Sequence, residues 1–344
     1  MRAVHPVLLQ SDNFTPPSRT PWGGTRIAGL KGLPGARVVG ESWECSVEPD
    51  FPSRLANGSC TLAEWIAADP EGALGREAAV GRRSTGLLVK LLDAADELSV
   101  QIHPSDGDPR LGAGECGKPE CWYAAEVDDG AGVYLGLADG VTRADVEAAL
   151  RLGADASALL SFVPLSPGDF LVIEAGTAHA IGRGLLLVEP QRVLPESRGV
   201  TWRFWDWNRR YAPDGRLDAA GSPRPLHVAD ALGVTRWDAP RGEALLARCR
   251  MRTGLPNVAG PATATALCGR SRGLRSNDLE VHRVAGTGTT RYPVADAFSA
   301  VTVLEGVVEV GGLRVPAGST AAVPAVGPRD LRLGGAHAIV SAVY

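Results

Sequence analysis

The stretch Pro167-Gly168-Asp169-Phe170-Leu171-Val172-Ile173-Glu174-Ala175 decides the fold, because a second stretch near the end of the chain has the same pattern. That second stretch is Ala317-Gly318-Ser319-Thr320-Ala321-Ala322-Val323-Pro324-Ala325. Each copy consists of a turn glycine, a short apolar strand and a second turn. A strand unit that recurs in both halves of a chain predicts two related β-barrels in tandem.

The rest of the chain also favours strands over helices. Its 344 residues include 42 glycines and 25 prolines, separated by short β-branched runs that are typical of strands and tight turns. We expect strands at Arg37–Val39, Gly132–Leu137 and Asp169–Ile173, among others. Helical signals are few: a threonine cap precedes 62–68, and Thr142 opens a helical insertion around 140–162. The predicted fold is therefore mainly β with a small helical insertion.

The proline-rich stretch Gly221-Ser222-Pro223-Arg224-Pro225 suggests where the two halves meet. We expect a first barrel in residues 1–230, which includes the helical insertion, and a second barrel in residues 231–344.

Composition excludes two classes of partner. A net charge of -4 spread along the chain leaves no basic stripe for nucleic acid. Apolar runs stay below the ~18 residues that a membrane helix needs. The first ten residues lack the features of a secretory signal, so we expect a cytoplasmic protein with reduced cysteines.

A polar strand face is the first candidate for chemistry. In Leu98–Pro104 the side chains alternate, so that Ser99, Gln101 and His103 share one face while Val100 and Ile102 share the other. Alone, such a face is as consistent with a solvated strand, and a single histidine is more often hydrogen-bonded than a ligand. Two later segments add further polar groups: 117–123, which contains Lys118 and Glu120, and 168–179, which ends at His179.

The segment from Gly168 to His179 resembles the second signature of the cupin superfamily, with Glu174 where the signature usually has proline. The first cupin signature carries two histidines and a glutamate, and Gln101, His103 and Glu120 match it if glutamine replaces the first histidine. The resemblance implies a metal held by Gln101, His103, Glu120 and His179. This ligand set does not by itself choose between zinc, manganese, iron and cobalt.

The order of the motifs narrows the resemblance to one family, the class I phosphomannose isomerases. Eight landmarks occur in the order that this family shows, between about Trp22 and His227: Trp22–Gly24, Gly40–Glu44, Leu88–Ala94, Ser99–Pro104, Gly117–Tyr123, Pro167–Phe170, Gly176–Ala180 and Thr201–Trp207. The resemblance implies two tandem cupin-type (jelly-roll) barrels, one Zn²⁺ per chain, and interconversion of mannose 6-phosphate and fructose 6-phosphate. The substrate would then be a small sugar phosphate.

The sequence departs from the family in two places. The segment between Glu189 and Arg203 is longer than is common and contains Pro190 and Pro195, so the approach to the pocket is expected to differ. Arg203 stands in Trp-Arg-Phe instead of Tyr-Arg-Val. In the second barrel, aligning Gly318 with Gly168 places Arg329 opposite His179, which predicts a barrel without metal.

Three residues are candidates for catalysis. Lys118 would share the strand face of Glu120 beside the metal, as a proton-transfer base or as an anchor for the phosphate. Glu189, at the end of the apolar run 185–188, would be an alternative base or assist ring opening, unless it is a surface glutamate. The resemblance assigns Arg203 to the active site, and a solvated ion pair with Asp206 is its alternative.

Substrate binding and function remain open at this point. For the phosphate we favour Ser99 with Arg203 or Arg210. The alternative functions are another metal-dependent cupin, such as an oxygenase or a different sugar-phosphate isomerase, and a non-catalytic sugar-binding protein with two barrels. We expect a monomer or a small homo-oligomer.

Overall fold

The computed structural model of the chain describes residues 5–81, 84–328 and 330–344. Strands take up 39% of the chain and helices 15%, which confirms a mainly β protein. Arg329, the predicted counterpart of His179, lies outside the described residues.

The chain forms strands in the following order: β1 (Val7–Leu8), β2 (Glu41–Cys45), β3 (Leu87–Ala94), β4 (Val100–Ile102), β5 (Glu115–Cys116), β6 (Glu120–Val127), β7 (Gly132–Leu137), β8 (Leu160–Pro164), β9 (Asp169–Ile173), β10 (His179–Ile181), β11 (Leu185–Arg192), β12 (Arg198–Gly199), β13 (Trp202–Trp205), β14 (Arg250–Arg252), β15 (Thr263–Gly269), β16 (Leu274–Arg275), β17 (Leu279–Arg291), β18 (Ser299–Val310), β19 (Leu313–Pro316), β20 (Thr320–Val323) and β21 (Asp330–Val343). The helices are α1 (Arg26–Leu30), α2 (Leu62–Ala68), α3 (Pro70–Leu74), α4 (Arg76–Gly81), α5 (Arg143–Leu152), α6 (Val228–Val234) and α7 (Gly242–Cys249), with a 3-10 turn at Ser157–Leu159. Within the described residues, no helix is long and apolar enough to cross a bilayer.

Two sheets enclose the first core. One has the strand order β14-β9-β6-β11-β3-β2 and the other β13-β4-β10-β7-β8. Trp122, Leu171 and Leu187 from the first sheet pack with Val133 and Ile181 from the second. Because side chains alternate along a strand, one face of each sheet is available to line this interior.

A third sheet, with the order β1-β20-β18-β21-β17-β15-β16 and β19 beside β18, surrounds a separate core. That core consists largely of valine and alanine, including Val301, Val308 and Val340. The long strands β17, β18 and β21 are interrupted by register shifts, such as the one between Gly286 and Gly288. Such bulges let a long strand bend around a core.

The two copies of the repeated stretch, 167–175 and 317–325, lie in different halves of the molecule. Gly168 precedes β9 with φ 91° and Gly318 precedes β20 with φ 75°. A side chain at either glycine would collide with a backbone carbonyl, that of Gly254 or of Leu30. Both the positive φ and the close approach therefore require glycine at these turns.

The outer face of the six-stranded sheet is covered as well. Tyr123, Phe170 and Val188 point away from the first core and pack with Val281 and Ile339 of the third sheet. All eight residues of β3 and all eight of β11 are consequently buried. This burial on both faces explains why β3 is a nearly continuous apolar run, whereas the second half of β11 buries the polar side chains of 189–192.

One expected strand is absent from the structure, and the domain boundary at residue 230 stays a prediction. Two strand pairings cross residue 230. β14 follows this residue in the chain but pairs with β9 of the first half, and β1 precedes it but pairs with β20 of the second half. Arg37–Val39 is not a strand. Val39 makes a single backbone hydrogen bond to Gly24 at 2.8 Å, and this short segment between two glycines joins no ladder.

The predicted helices have their predicted caps. Thr61 caps α2 through a capping box with Glu64. Thr142 caps α5 in the same way with Asp145, inside the expected insertion, and left-handed Gly153 ends it.

Candidate active site

Three of the four predicted metal ligands, His103, Glu120 and His179, lie close together beside the first core, and Gln101 lies next to them in the strand pairing. Gln101 in β4 is directly paired with His179 at the start of β10. His103 follows β4, and Glu120 begins β6 in the facing sheet. Strand pairing and sheet packing thus bring together residues that are far apart in the chain.

Hydrogen bonds fix the orientation of both imidazoles. Nδ1 of His103 lies 2.9 Å from the carbonyl oxygen of Val200, and Nδ1 of His179 lies 2.9 Å from that of Thr177. A carbonyl oxygen can only accept, so each Nδ1 carries the proton and each Nε2 presents a lone pair. Both Nε2 atoms are buried without a hydrogen-bond partner. This is the arrangement that histidine ligands of metals usually show.

The two lone pairs face one carboxylate. Nε2 of His103 is 3.3 Å from Oε2 of Glu120, and Nε2 of His179 is 3.4 Å from Oε1. Burial lowers the pKa of His103 and lowers that of His179 to about 3, so both rings are neutral at pH 7. Burial alone would raise the pKa of Glu120, but the positive charge of Lys118 holds it well below its usual range. Buried lone pairs facing a carboxylate are unfavourable unless a cation lies between them.

The donor set fits a divalent metal ion. The ligand atoms of His103, Glu120 and His179 lie within 4.8 Å of one another, and all three residues are buried. Gln101 lines the cavity beside them and can add an amide oxygen. Two imidazoles with one or two oxygens suit zinc and several other first-row metals.

A cavity of about 240 Å³ lies beside this group, and its charge is strongly unbalanced. The carboxylates in its wall are Glu41 and Glu189. The cations in its wall are Arg19, Lys90, Lys118, Arg203 and Arg224. With five cations against two carboxylates, the cavity favours an anionic ligand.

Lys118 contacts the ligand carboxylate directly. Its Nζ is 3.1 Å from Oε2 of Glu120, and its side chain is 13% exposed. The ammonium therefore lies between the metal-ligand group and the cavity, next to any substrate that binds there.

Glu189 is a buried residue of the cavity wall, so the alternative of a surface glutamate is wrong. Its side chain accepts a hydrogen bond of 3.0 Å from Nε1 of Trp122. Burial raises its pKa to about 7, with a further contribution from the negative charge of Glu120, while Lys118 and Lys90 oppose the rise. A carboxylate with a pKa near neutrality is suited to accept and return a proton.

Arg203 and Ser99 form a pair in the cavity wall. Nε of Arg203 donates to Oγ of Ser99 at 2.9 Å, and Arg203 is the register partner of Gln101. The alternative of a simple ion pair with Asp206 does not describe this residue, because Asp206 pairs with Arg209 and Arg224.

The structure does not bring Arg210 to the site. This arginine is exposed, and its Nε donates to the carbonyl oxygen of Gly221 at 2.7 Å. Arg224, which was not among the predicted site residues, lines the cavity instead. Its position depends on the path of a loop, and that segment has no periodic hydrophobic pattern.

Sequence reasoning also missed Lys90 and Glu41. Nζ of Lys90 is 2.9 Å from Oε1 of Glu41 and lies 4.1 Å from the ring centroid of Trp43. Lys90 interrupts the apolar run Leu87–Leu92, and a charged residue inside a buried strand was a usable signal of a functional site.

Comparison with known proteins supports the resemblance to the phosphomannose isomerases. No family profile matches the chain. The mannose-6-phosphate isomerase of Streptococcus mutans is 33% identical over 235 residues, which cover 67% of this chain and 68% of that protein. The chain belongs to the mannose-6-phosphate isomerase family. This confirms the resemblance predicted from the ordered motifs.

Solved structures of this family extend the likeness to the whole chain. The crystal structure of the Bacillus subtilis mannose 6-phosphate isomerase has a TM-score of 0.73 and 26% identity, covering 98% of this chain and 99% of that one. A mannose 6-phosphate isomerase crystallised with zinc and yttrium has a TM-score of 0.67 at 16% identity, covering 99% of each chain. The second likeness concerns the fold alone.

Proposed function

We propose that this member of the mannose-6-phosphate isomerase family is a zinc-dependent enzyme that interconverts mannose 6-phosphate and fructose 6-phosphate. The observation that carries the proposal is the convergence of two neutral, unpartnered imidazole nitrogens on one buried carboxylate. This group lies beside a cavity with an excess of cations, as an anionic sugar requires.

His103, His179, Glu120 and Gln101 would hold the zinc ion. When bound, zinc would act as a Lewis acid for the negative charge that develops on the two sugar oxygens near C1 and C2. Glu120 is the one charged member of this ligand set, so the occupied site keeps a net positive charge.

Glu189 is the residue that we assign to proton transfer. Converting the aldose to the ketose moves one hydrogen from C2 to C1 and one from O2 to O1. Glu189 lines the cavity as an acceptor, and Trp122 holds one of its oxygens in place. Its carboxylate would take the C2 proton and return it to C1.

Lys118 and Arg203 would orient the substrate. Lys118 bonds to Glu120 and places its positive charge at the cavity. Arg203 and His179 lie on the two strands that flank β4, and each is paired with Gln101. Lys118 and Arg203 can both donate hydrogen bonds to sugar oxygens. Lys118 as the base remains the alternative assignment.

The proposal is tested by incubating the purified protein with mannose 6-phosphate and following fructose 6-phosphate. The assay is repeated after treatment with a chelator and after zinc is restored. We expect turnover that is lost on chelation and regained with zinc. Turnover that survives complete metal removal would contradict zinc dependence. No turnover under any condition would leave the oxygenase and the sugar-binding protein as the remaining functions.

A further inference from the structure

Arg192, the last residue of β11, is a buried arginine that links separate parts of the chain. Its side chain is 7% exposed. Nη1 donates to Oδ1 of Asp106 at 3.0 Å, and Nη2 donates to the other oxygen of the same carboxylate. Nε donates to Oδ1 of Asp278 at 3.2 Å. Asp106 follows β4 in the first half, whereas Asp278 lies between β16 and β17 in the second half, so one guanidinium connects the two halves.

The contacts of Arg192 also fix the segment that contains Lys118. The backbone N–H of Gly117 donates to Oδ1 of Asp106 at 2.9 Å. The backbone N–H of Arg192 donates to the carbonyl oxygen of Pro119 at 3.0 Å. Lys118 lies between Gly117 and Pro119, so the backbone is fixed on both sides of this lysine.

The position of the Lys118 ammonium depends on this backbone. The stem of Lys118 packs on Gly199 of β12, where an added Cβ would lie 3.0 Å from Cγ of the lysine. Its Nζ bonds to Oε2 of Glu120 at 3.1 Å, at the edge of the cavity. A shift of the backbone at 117–119 therefore moves the ammonium relative to the cavity. Misplacing a group that orients a substrate by about 1 Å costs up to about 10²-fold in rate.

The second half of the molecule reaches this segment through Asp278. In the described chain, every residue that lines the cavity precedes position 225. The backbone of Asp278 is fixed, since its N–H donates to Oγ of Ser276 at 3.3 Å and its carbonyl oxygen accepts from the N–H of Tyr344 at 3.2 Å. Removing the Asp278 carboxylate leaves Nε of the buried Arg192 without this acceptor. Arg192 is then no longer held against the second half, and it can shift together with Asp106.

We propose that Arg192 is a positioning residue. Asp278 holds Arg192 against the second half of the molecule, and Arg192 with Asp106 holds the segment that sets the position of Lys118. The second half thus acts on the reaction through Lys118, although it adds no residue to the described cavity wall. The inference rests on the proposed function for the role of Lys118 in orienting the substrate. The position of Lys118 itself can be measured without the reaction.

The test compares Asp278→Ala and Asp278→Asn with the control Asp214→Ala. Asp278 is 38% exposed, so both substitutions at this position should leave the protein folded. Asparagine keeps an acceptor for Nε of Arg192, so Asp278→Asn should have an intermediate effect. Asp214 is 55% exposed and belongs to a surface ion pair with Arg216, so its loss should change neither readout.

The first readout is the rate at which an acylating reagent such as acetic anhydride modifies each lysine of the metal-loaded protein, followed by peptide mass spectrometry. Lys31, Lys90 and Lys118 are the only lysines in the sequence, so each is measured separately. We expect Asp278→Ala to raise the rate at Lys118 about 3- to 10-fold, because the local structure opens more often. The rates at Lys31 and Lys90 should not change.

The second readout is the kinetics with mannose 6-phosphate. We expect Asp278→Ala to lower kcat/KM about 10-fold, because a displaced ammonium orients the substrate poorly. Metal affinity should not change, since Gln191 and not Arg192 bonds to the side chain of Glu120.

An unchanged rate of acylation at Lys118 in both Asp278 variants would overturn the positioning role. An equal increase at all three lysines would also overturn it, since this would show a general loosening of the fold. A selective increase at Lys118 in proteins that do not isomerise mannose 6-phosphate would support the positioning role and contradict the proposed function.

Discussion

Gln191 in β11 donates a hydrogen bond from Nε2 to Oε2 of Glu120 at 3.1 Å. The two residues are register partners on neighbouring strands, and the Gln191 side chain is fully buried. The neutral amide of Gln191 therefore holds the carboxylate of Glu120, the one charged ligand of the candidate metal site, from the neighbouring strand. Groups in this position orient a ligand without touching the metal.

We predict that Gln191→Met weakens metal binding about 10- to 100-fold, because methionine fills the space but cannot hold Glu120. Affinity is measured by competition with a chromophoric chelator. Gln10→Met is the control, since the Gln10 backbone bonds to Arg54 and the residue belongs neither to the ligand group nor to the cavity wall. Equal affinities in Gln191→Met and the wild-type protein would show that the amide does not position Glu120.

The assignment of the base leads to a second prediction. Glu189→Gln should lower kcat about 10²- to 10⁴-fold, because the amide cannot accept a proton, while metal content and KM change little. Steady-state kinetics and metal analysis of the same preparation provide the measurement. If Glu189→Gln keeps its kcat and Lys118→Met loses it, the lysine is the base.

A buried ion pair of the first half of the molecule lies where that half contacts β20. Nζ of Lys31 lies 2.7 Å from Oε1 of Glu44, with side chains 0% and 2% exposed, and it donates to the carbonyl oxygen of Gly318 at 3.1 Å. Thr320 of β20 donates to Oε2 of Glu44 at 2.9 Å. Removing one partner leaves a buried carboxylate without its counter-charge.

Lys31→Met should therefore lower the free energy of unfolding by about 3–5 kcal/mol, measured by urea unfolding at pH 7. The exposed pair between Arg143 and Glu147 is the control, and Arg143→Ala should change stability by less than about 1 kcal/mol. Similar losses in the two variants would mean that burial does not determine the strength of the first pair.

The contact between the two halves also predicts a dependence of stability on pH. His337 in β21 has its Nε2 3.0 Å from the hydroxyl of Tyr123 in β6. Burial, with a smaller contribution from Arg283, lowers the pKa of His337 to about 4 from its ordinary value of 6.5. The unfolded chain therefore binds this proton at a higher pH than the folded protein does.

The stabilisation is fully present above pH 6.5 and is lost as the pH falls toward 4. It amounts to about 3 kcal/mol for this one group. His337→Gln keeps a polar partner for Tyr123 but cannot titrate, so its stability should fall less between pH 6.5 and 4.5 than that of the wild-type protein. Parallel pH profiles for the two proteins would contradict the assignment.

Much of the site could be predicted because it depends on strand alternation and on short motifs. The alternation in 98–104 places Ser99, Gln101 and His103 on one face, and the structure has Ser99 and Gln101 in the cavity wall. The turn glycines Gly168 and Gly318 could be read directly, since each is required by its local backbone.

The remainder depends on tertiary packing. Arg210 and Arg224 belong to one irregular segment, and no local rule shows which of them turns inward. The position of β14 in the first sheet is also a long-range pairing, which composition does not indicate. Glu189 is buried because both faces of β11 are covered, and this covering depends on contacts with distant parts of the chain.

The most direct test of the account is an anomalous-difference map from crystals of the zinc-loaded protein. We expect one zinc peak per chain, about 2.0–2.2 Å from Nε2 of His103, Nε2 of His179, an oxygen of Glu120 and the amide oxygen of Gln101. A map in which these four side chains surround no peak, or in which the zinc lies elsewhere in the chain, would contradict the metal centre and the isomerase mechanism built on it.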